Sequence, residues 1–304
     1  MRTEFTIKNV ILTGSSGFVG SRFIKDCHQQ FHIRPLSLLK TPLKDVSFKD
    51  VDAIVHSAAL VHQMIPRKEE DYFSINRDLT LSFAKAAKEK GVKHFLFLST
   101  AHVFGDSGTL GDHKMRLSSS SPCQPKDAYG RSKLAAEEEL LKLADPSFRV
   151  SILRPPMVYG EGAKGNILSL VKLVKRCPVL PLGYSKNKRS MIYIGNLTAF
   201  IKSTLLSDRA EGEGNSEILL PQDPQPISIS QLVTLIAQAL GKKVYLVPVP
   251  SIVVKILSQL NKKLALRLFG TLAMDSEESN RRLKFTPPFT TSQGLQQMLS
   301  GDNQ

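Results

Sequence analysis

The sequence predicts an α/β fold, a doubly wound parallel sheet followed by a smaller C-terminal domain. Three observations predict it. The short apolar runs are hydrophobic throughout instead of alternating, helical segments separate them, and a glycine-rich turn stands directly after the first run. Continuously apolar strands are buried on both faces, as they are when helices cover both sides of a parallel sheet.

Taken in order, Val10 to Thr13 reads as a short buried strand, and the turn that follows opens a helix from about Val19 to Gln29. Ile33 to Leu38 is the second apolar run. Asp52 to His56 is a strand that ends in the small residues Ser57, Ala58 and Ala59. Thr80 to Lys90 is an alanine-rich helix stopped by Gly91, and His94 to Ser99 is again a strand. Asp127 to Leu143 has the pattern of a helix, with Val150 to Leu153 as the strand after it. From Pro155 onward the chain is richer in proline, with helices near Ile167–Lys175, Ile229–Leu240 and Ile252–Leu268. The expected division is residues 1–155 for the first domain and 156–304 for the second. Met191 to Ile194 is expected to return to the sheet, and residues 189–206 to the first domain. Ser118 to Ser121 reads as a loop, and there are no internal repeats.

The 304 residues carry a formal charge of +14, with 41% hydrophobic and 22% charged residues, an ordinary globular composition. No apolar run reaches the length of a membrane span, since Leu246 to Leu260 is broken by Pro248, Pro250, Ser251 and Lys255. The N-terminus lacks the apolar stretch of an export signal, so the cytoplasm is the expected location. Cys27, Cys123 and Cys177 are odd in number and far apart, giving neither a disulfide framework nor metal-ligand spacing. The basic charge would suit a nucleic acid, but lysines and arginines are scattered and often stand beside acids, as in Arg67-Lys68-Glu69-Glu70. That distribution argues for a solvated surface that favours small phosphorylated ligands.

Gly14, Gly17 and Gly20 sit three apart between strand and helix. Side chains at the first two positions would keep the backbone from a pyrophosphate, the helix N-terminus offers it unpaired N–H groups, and the third glycine lets helix and strand pack closely. The turn therefore predicts a dinucleotide. The second run, Ile33-Arg-Pro-Leu-Ser-Leu-Leu-Lys40, contains no acid to bind the ribose hydroxyls of NAD. Ser37 or Lys40 would instead meet a 2′-phosphate, so NAD and NADP both stay open with a lean to NADP.

Tyr129 and Lys133 are four apart on the helix that starts at Asp127, and so project from one face. At that spacing an ammonium lowers the pKa of a phenol, which fits Tyr129 to act as general base while Lys133 holds the cofactor ribose. Tyr184 and Lys188 share the spacing but lie in Gly183-Tyr-Ser-Lys-Asn-Lys-Arg189, which has no helical periodicity and reads as a loop. Thr100 follows the strand ending at Ser99, at the sheet edge where catalytic groups collect, and its hydroxyl is placed to hydrogen-bond a reacting oxygen.

With these landmarks the sequence resembles an extended short-chain dehydrogenase/reductase, of the NAD-dependent epimerase/dehydratase family that works on nucleotide sugars. The similarity runs from TGSSGFVG through VDAIVHSAA, Asn76, LSTAHVFG, YGRSK, LRPPMVYGEG and RSMIYIGNL to LKFTPPFTTSQGL, which is similar to the closing strand-turn-helix of the family. The resemblance implies a Rossmann domain and a C-terminal substrate domain. It implies Tyr129 as base, Lys133 as its partner and Thr100 as the hydroxyl that steadies the sugar oxygen. The implied dinucleotide site consists of Gly14, Ser16, Gly17, Phe18, Val19, Gly20, Lys40, Ala58, Ala59, Tyr129, Lys133 and Pro155. Asn166 and Arg189 match positions that hold the nucleotide diphosphate, although Asn166 also suits a helix cap. No metal is implied, and the family often forms homodimers.

The departures narrow the chemistry. Where sugar 4,6-dehydratases carry an Asp-Glu pair after the threonine, this chain has Ala101 and His102, which argues against dehydration. Ala101 also replaces the cysteine of the epimerase-reductases that make GDP-fucose, and Phe104 stands where a tyrosine is common. Between Leu38 and Asp52 the chain is too short for a full crossover, which leaves Asp45-Val46 as the candidate lining of the adenine pocket. What remains is hydride transfer at a sugar carbon, C4 in the reading favoured here. An epimerase is the first expectation, an NADPH-dependent 4-ketoreductase the alternative. A non-catalytic dinucleotide sensor on the same fold is the rival of another class, and such proteins characteristically lack the Tyr-Lys pair.

Overall fold

The computed structural model of the chain describes residues 8–61, 67–105, 108–111, 114–163, 165–183, 185–207 and 214–300. Tyr184 of the loop pair lies outside them. β1 (Lys8–Thr13) is buried from Ile11 and Val10 inward, and the glycine turn connects it to α1 (Phe18–Cys27). β2 (Phe31–Leu36) follows, and only a short 3₁₀ turn, Leu43–Asp45, separates it from β3 (Ala53–His56). The helix expected at Thr80 starts earlier, as α2 (Glu69–Phe73), then one π-helical stretch over Ser74–Leu79, then α3 (Thr80–Glu89). The π-helical stretch carries the buried Asn76, and such stretches recur at functional sites. β4 (His94–Leu98), α4 (Ala128–Leu143) and β5 (Arg149–Leu153) complete the alternation.

Beyond β5 come β6 (Met157–Tyr159), α5 (Asn166–Arg176), β7 (Val179–Gly183), β8 (Met191–Tyr193), α6 (Ile194–Leu206) and β9 (Ser216–Leu219). The chain ends with α7 (Ile229–Ala239), β10 (Tyr245–Pro248), α8 (Ser251–Leu260), α9 (Lys262–Phe269), α10 (Glu277–Leu283) and α11 (Thr291–Ser300).

The main sheet is six-stranded and parallel, in the order β2-β1-β3-β4-β5-β9. Its register aligns Ile11, Ile54, Phe95 and Val150 across one face, where they pack with Phe83, Ala84 and Ala87 of α3 and Ala136 and Leu140 of α4. The other face presents Val10, Leu12, Val55, Leu96 and Leu153, all buried as well, which is why these strands read as continuously apolar. Strand order reverses between β1 and β3, the point at which open α/β sheets bind ligands beyond their C-terminal ends.

The chain divides into two compact units: residues 1–104, 122–155 and 198–219, and residues 105–121, 156–197 and 220–304. The expected return of Met191–Ile194 to the main sheet does not occur. β8 pairs instead with β6, register Met157↔Met191 to Tyr159↔Tyr193, and the sixth strand of the main sheet is β9. Glu217 of β9 accepts from Arg149 and Ser151 of β5, which fixes that pairing. In the second unit β7 and β10 form another parallel pair, and buried Asp223 takes hydrogen bonds from Tyr159, Thr291, Asn196 and the Tyr193 backbone. The helix expected over Ile252–Leu268 is two helices. Asn261 (φ −147°, ψ 80°) breaks the run and caps α9 by accepting from the Leu264 N–H at 3.0 Å. The expected closing strand is absent too: LKF begins at the end of α10, and Lys284 adopts a left-handed conformation (φ 48°) that turns the chain toward α11.

Candidate active site

The glycine turn meets the demands of a pyrophosphate cradle. Gly14 has φ +73°, and a Cβ there would stand 2.7 Å from the Ala58 backbone nitrogen, so the loop after β1 lies flat on the loop after β3. At Gly20 a Cβ would fall 2.2 Å from the Gly14 carbonyl oxygen, so the helix approaches the turn as closely as backbone allows. At Gly17 it would meet only that oxygen, at 3.1 Å. Gly17 is the N-cap of α1; no side chain caps the helix and no acid lies in its first turn. The first N–H groups, with Phe18 and Val19 half-buried beside them and Ser16 exposed, thus face outward toward an anion. These are the features a dinucleotide requires, and the residues present fit it.

Beneath the turn, Thr13 anchors the two loops. Its hydroxyl bonds His56 Nδ1 at 2.9 Å and accepts from the Ala58 N–H at 3.3 Å, while His56 Nε2 bonds Thr80 at 2.9 Å. Burial among Phe83, Phe95 and Phe97, with Lys133 as a second cause, pulls His56 down to about 3, so the imidazole is neutral. Ala58 and Ala59 follow β3, half-buried. Pro155, buried after β5, accepts the Ala101 N–H at 2.8 Å. At the end of β2, Ser37 and Lys40 are exposed in a turn, and no acid is present there.

Thr100 and Tyr129 are brought together: the Thr100 side chain hydrogen-bonds the phenol. Asp127 caps α4 by accepting from the Gly130 N–H at 2.6 Å, and its other oxygen is 3.3 Å from His102 Nδ1. The His102 ring lies edge-on to that of Tyr129, centroids 5.9 Å apart. The expected lowering of the phenol pKa is not what the structure gives. Burial pushes Tyr129 up to about 12, Asp127 adds to that, and only the Thr100 bond opposes it. Lys133, 1% exposed, turns its amine elsewhere, donating to the Leu98 carbonyl at 2.7 Å and standing 4.2 Å over the Phe97 ring. Burial pulls the amine down to about 7, against the opposing pull of Glu137.

A polar cluster adjoins Lys133, and its central residue, Glu137, lies outside every motif. Glu137, one turn further along α4, accepts from Ser99 and forms a buried ion pair with Arg154, whose guanidinium sits 4.9 Å over Phe104. Asn76 accepts from the Leu60 N–H at 2.8 Å, donates to the Leu60 carbonyl and donates to Ser132 at 3.0 Å. For Glu137 the one signal in the sequence was four-residue spacing, since it stands in register behind Lys133 as Lys133 does behind Tyr129.

Asn166 and Arg189 belong to the second unit. Asn166 is the exposed first residue of α5; Gly165 is its N-cap, and the Asn166 side chain does not cap the helix. Arg189, largely buried, donates to the Leu266 and Gly270 carbonyls at 3.2 and 3.3 Å, tying it to the end of α9. Among the described residues no group of three or more His, Cys, Asp or Glu is placed to hold a metal, and no helix is long and apolar enough to cross a membrane.

Residues 10–216 match the NAD dependent epimerase/dehydratase family. The chain is 32% identical to a UDP-glucose 4-epimerase of Vibrio cholerae, over 95% of this chain and 94% of that one. It is 28% identical to an N-acetyl-α-D-glucosaminyl-diphospho-ditrans,octacis-undecaprenol 4-epimerase of Escherichia coli O157:H7, over 96% and 94% of the two chains. Its fold matches that of RMD from Pseudomonas aeruginosa complexed with NADPH, with a TM-score of 0.72, 22% identity and coverage of 96% and 98%.

Proposed function

Because the chain belongs to the NAD-dependent epimerase/dehydratase family, we propose that it is a sugar 4-epimerase acting on a hexose carried by a diphosphate, with Tyr129 as acid and base. A UDP-hexose is the first substrate class, supported by the similarity to the Vibrio cholerae enzyme; a polyprenol-linked diphosphosugar has the same reacting end. A dinucleotide held by the glycine turn, Ala58, Ala59 and Pro155 would supply the hydride acceptor and donor for sugar C4. Thr100 and Tyr129, one hydrogen-bonded pair on the loop after β4 and the first turn of α4, hold the C4 oxygen between them, and this pair is the observation that carries the reading.

Tyr129 takes the hydroxyl proton as the C4–H bond breaks and gives it back to the ketone oxygen as that bond re-forms. In its present setting the phenol is protonated, the form that donates. To accept a proton it needs a cation close by. Lys133, one turn further along α4, would supply that cation and would hold the cofactor ribose, and Glu137 favours its charged form. Thr100 steadies the oxygen in both directions. Ala101 and His102 leave no carboxylate pair to expel water from the neighbouring carbon, so the ketone turns over instead of dehydrating. Phosphate contacts fall to Arg189 and Asn166, and the exposed Lys40 beside an acid-free strand end admits the 2′-phosphate of NADP as well as NAD.

That strand end and the protonated phenol favour one second reading, a 4-ketoreductase that uses only the returning half-reaction and consumes NADPH. The experiment is to offer UDP-hexoses with NAD, and 4-keto sugars with NADPH, to the purified protein. Interconversion of C4 epimers without net cofactor consumption is the expected result, with Tyr129→Phe reducing turnover by roughly 10²–10⁴-fold and leaving dinucleotide binding within a few-fold. Stoichiometric loss of NADPH would favour the reductase, and binding without either reaction would overturn both.

A further inference from the structure

Basic residues are spread along the whole chain, but acidic residues are missing from two long stretches of it. From residue 224 to 274 there are five lysines and one arginine and no aspartate or glutamate, and residues 162–207 are acid-free as well. Lys243, Lys255, Lys262, Lys263 and Arg267 are all exposed.

Within this basic stretch lies α8, which has no buried residue. Ile252, Val253, Ile256 and Leu260 project within an arc of about 100° and are exposed, Ile252 to 60% and Leu260 to 82%. Half-buried Val254 and Leu257 occupy the rest of the apolar side, and Lys255 and Gln259 border the exposed arc. On the neighbouring elements Leu264 of α9 and Tyr245 and Val247 of β10 are exposed as well. Four exposed aliphatic side chains grouped on one side of a helix are costly in water and mark an interaction face. A nucleic acid would use the lysines but give the aliphatic side chains nothing to enter.

We infer that α8 and α9, with the start of β10, form a peripheral membrane-binding face: Ile252, Val253, Ile256 and Leu260 enter the headgroup–acyl boundary of a bilayer, and the surrounding lysines and Arg267 pair with anionic phospholipid headgroups. The charge sign and the apolar arc select the same partner, since an amphipathic helix with a cationic border seats in the plane of an acidic lipid surface. Each exposed lysine near such a surface adds attraction that falls off within a Debye length, so the binding is salt-sensitive while the apolar insertion is not. The inference does not depend on which sugar the enzyme turns over.

The full chain is to be sedimented with vesicles of phosphatidylcholine alone and of phosphatidylcholine with an equal part of phosphatidylglycerol, at low and high salt. It is expected to pellet with the anionic vesicles at low salt and not with phosphatidylcholine. The double variant I256E/L260E and the double variant K262E/K263E should each weaken that binding by about tenfold or more, with NADPH binding unchanged in both because the glycine turn, Tyr129 and Lys133 are left intact. No sedimentation with anionic vesicles at low salt would overturn the proposal. So would equal binding by I256E/L260E, since net charge alone would then explain it. A third contrary result is a lipid-free protein whose mass in light scattering is halved by I256E/L260E, which would make the face an interface between two copies.

Discussion

Glu137 shows how much of the site rests on residues that no motif names. It ties Ser99 at the end of β4, Arg154 at the end of β5 and Lys133 on α4 into one buried cluster, with Glu137 and Arg154 exposed by only a few per cent. Removing one partner of such a pair strands the other charge, so Glu137→Gln should destabilise the fold by about 3–5 kcal/mol, read from urea denaturation. Replacing both, as in E137L/R154L, should recover much of that loss if stranding is the cause. Tyr129, Lys133 and Thr100 were legible because their chemistry depends on residue type and spacing. Their protonation was not, because burial, which the sequence does not display, sets both the phenol near 12 and the amine near 7.

Among the elements, the turn from β1 to α1 is the most constrained. Gly20 faces the Gly14 carbonyl so closely that a methyl group cannot be added without moving the helix away from the turn. Gly20→Ala should therefore weaken dinucleotide binding by at least about tenfold and cost about 1–3 kcal/mol of stability, measured by fluorescence titration and thermal melting. Gly17→Ala meets only one backbone oxygen and should be milder on stability. The turn, α1, α3, β4, α4 and β5 were readable because apolar period and glycine placement are local signals. β8 and β9 were not. Three- and four-residue strands carry too little pattern, and what assigns Ser216–Leu219 to the main sheet is a long-range pairing with Arg149 and Ser151. Likewise Asn261 split a run that reads as one helix, since its capping role depends on a backbone conformation and not on hydrophobic period.

For the whole molecule, the parallel sheet and its acid response are linked through His56, which joins the ends of β1 and β3 to α3 from inside the core. Burial holds its pKa at about 3 in the fold, against 6.5 for a free imidazole. Between these values the unfolded chain takes up a proton that the folded chain refuses. The stability this difference provides is thus complete above pH 6.5 and declines as pH falls toward 3. Melting temperatures recorded from pH 7 to pH 4 should fall more steeply for the native chain than for His56→Gln; equal slopes would mean that other groups govern acid unfolding. The same sheet places the glycine turn and Ala58 at the reversal of strand order, with Thr100 and Pro155 on the neighbouring loops, so one edge supplies every group that the proposed hydride transfer asks of the first unit.

The most direct test follows the hydride itself. A UDP-hexose carrying deuterium at C4 is incubated with the enzyme and its dinucleotide, and the products are analysed by mass spectrometry and NMR. Hydride that leaves and returns within one turnover keeps deuterium at C4 of the inverted sugar, with no deuterium accumulating in released dinucleotide. Deuterium lost from C4 to solvent, or collected stoichiometrically on free dinucleotide, would contradict the account.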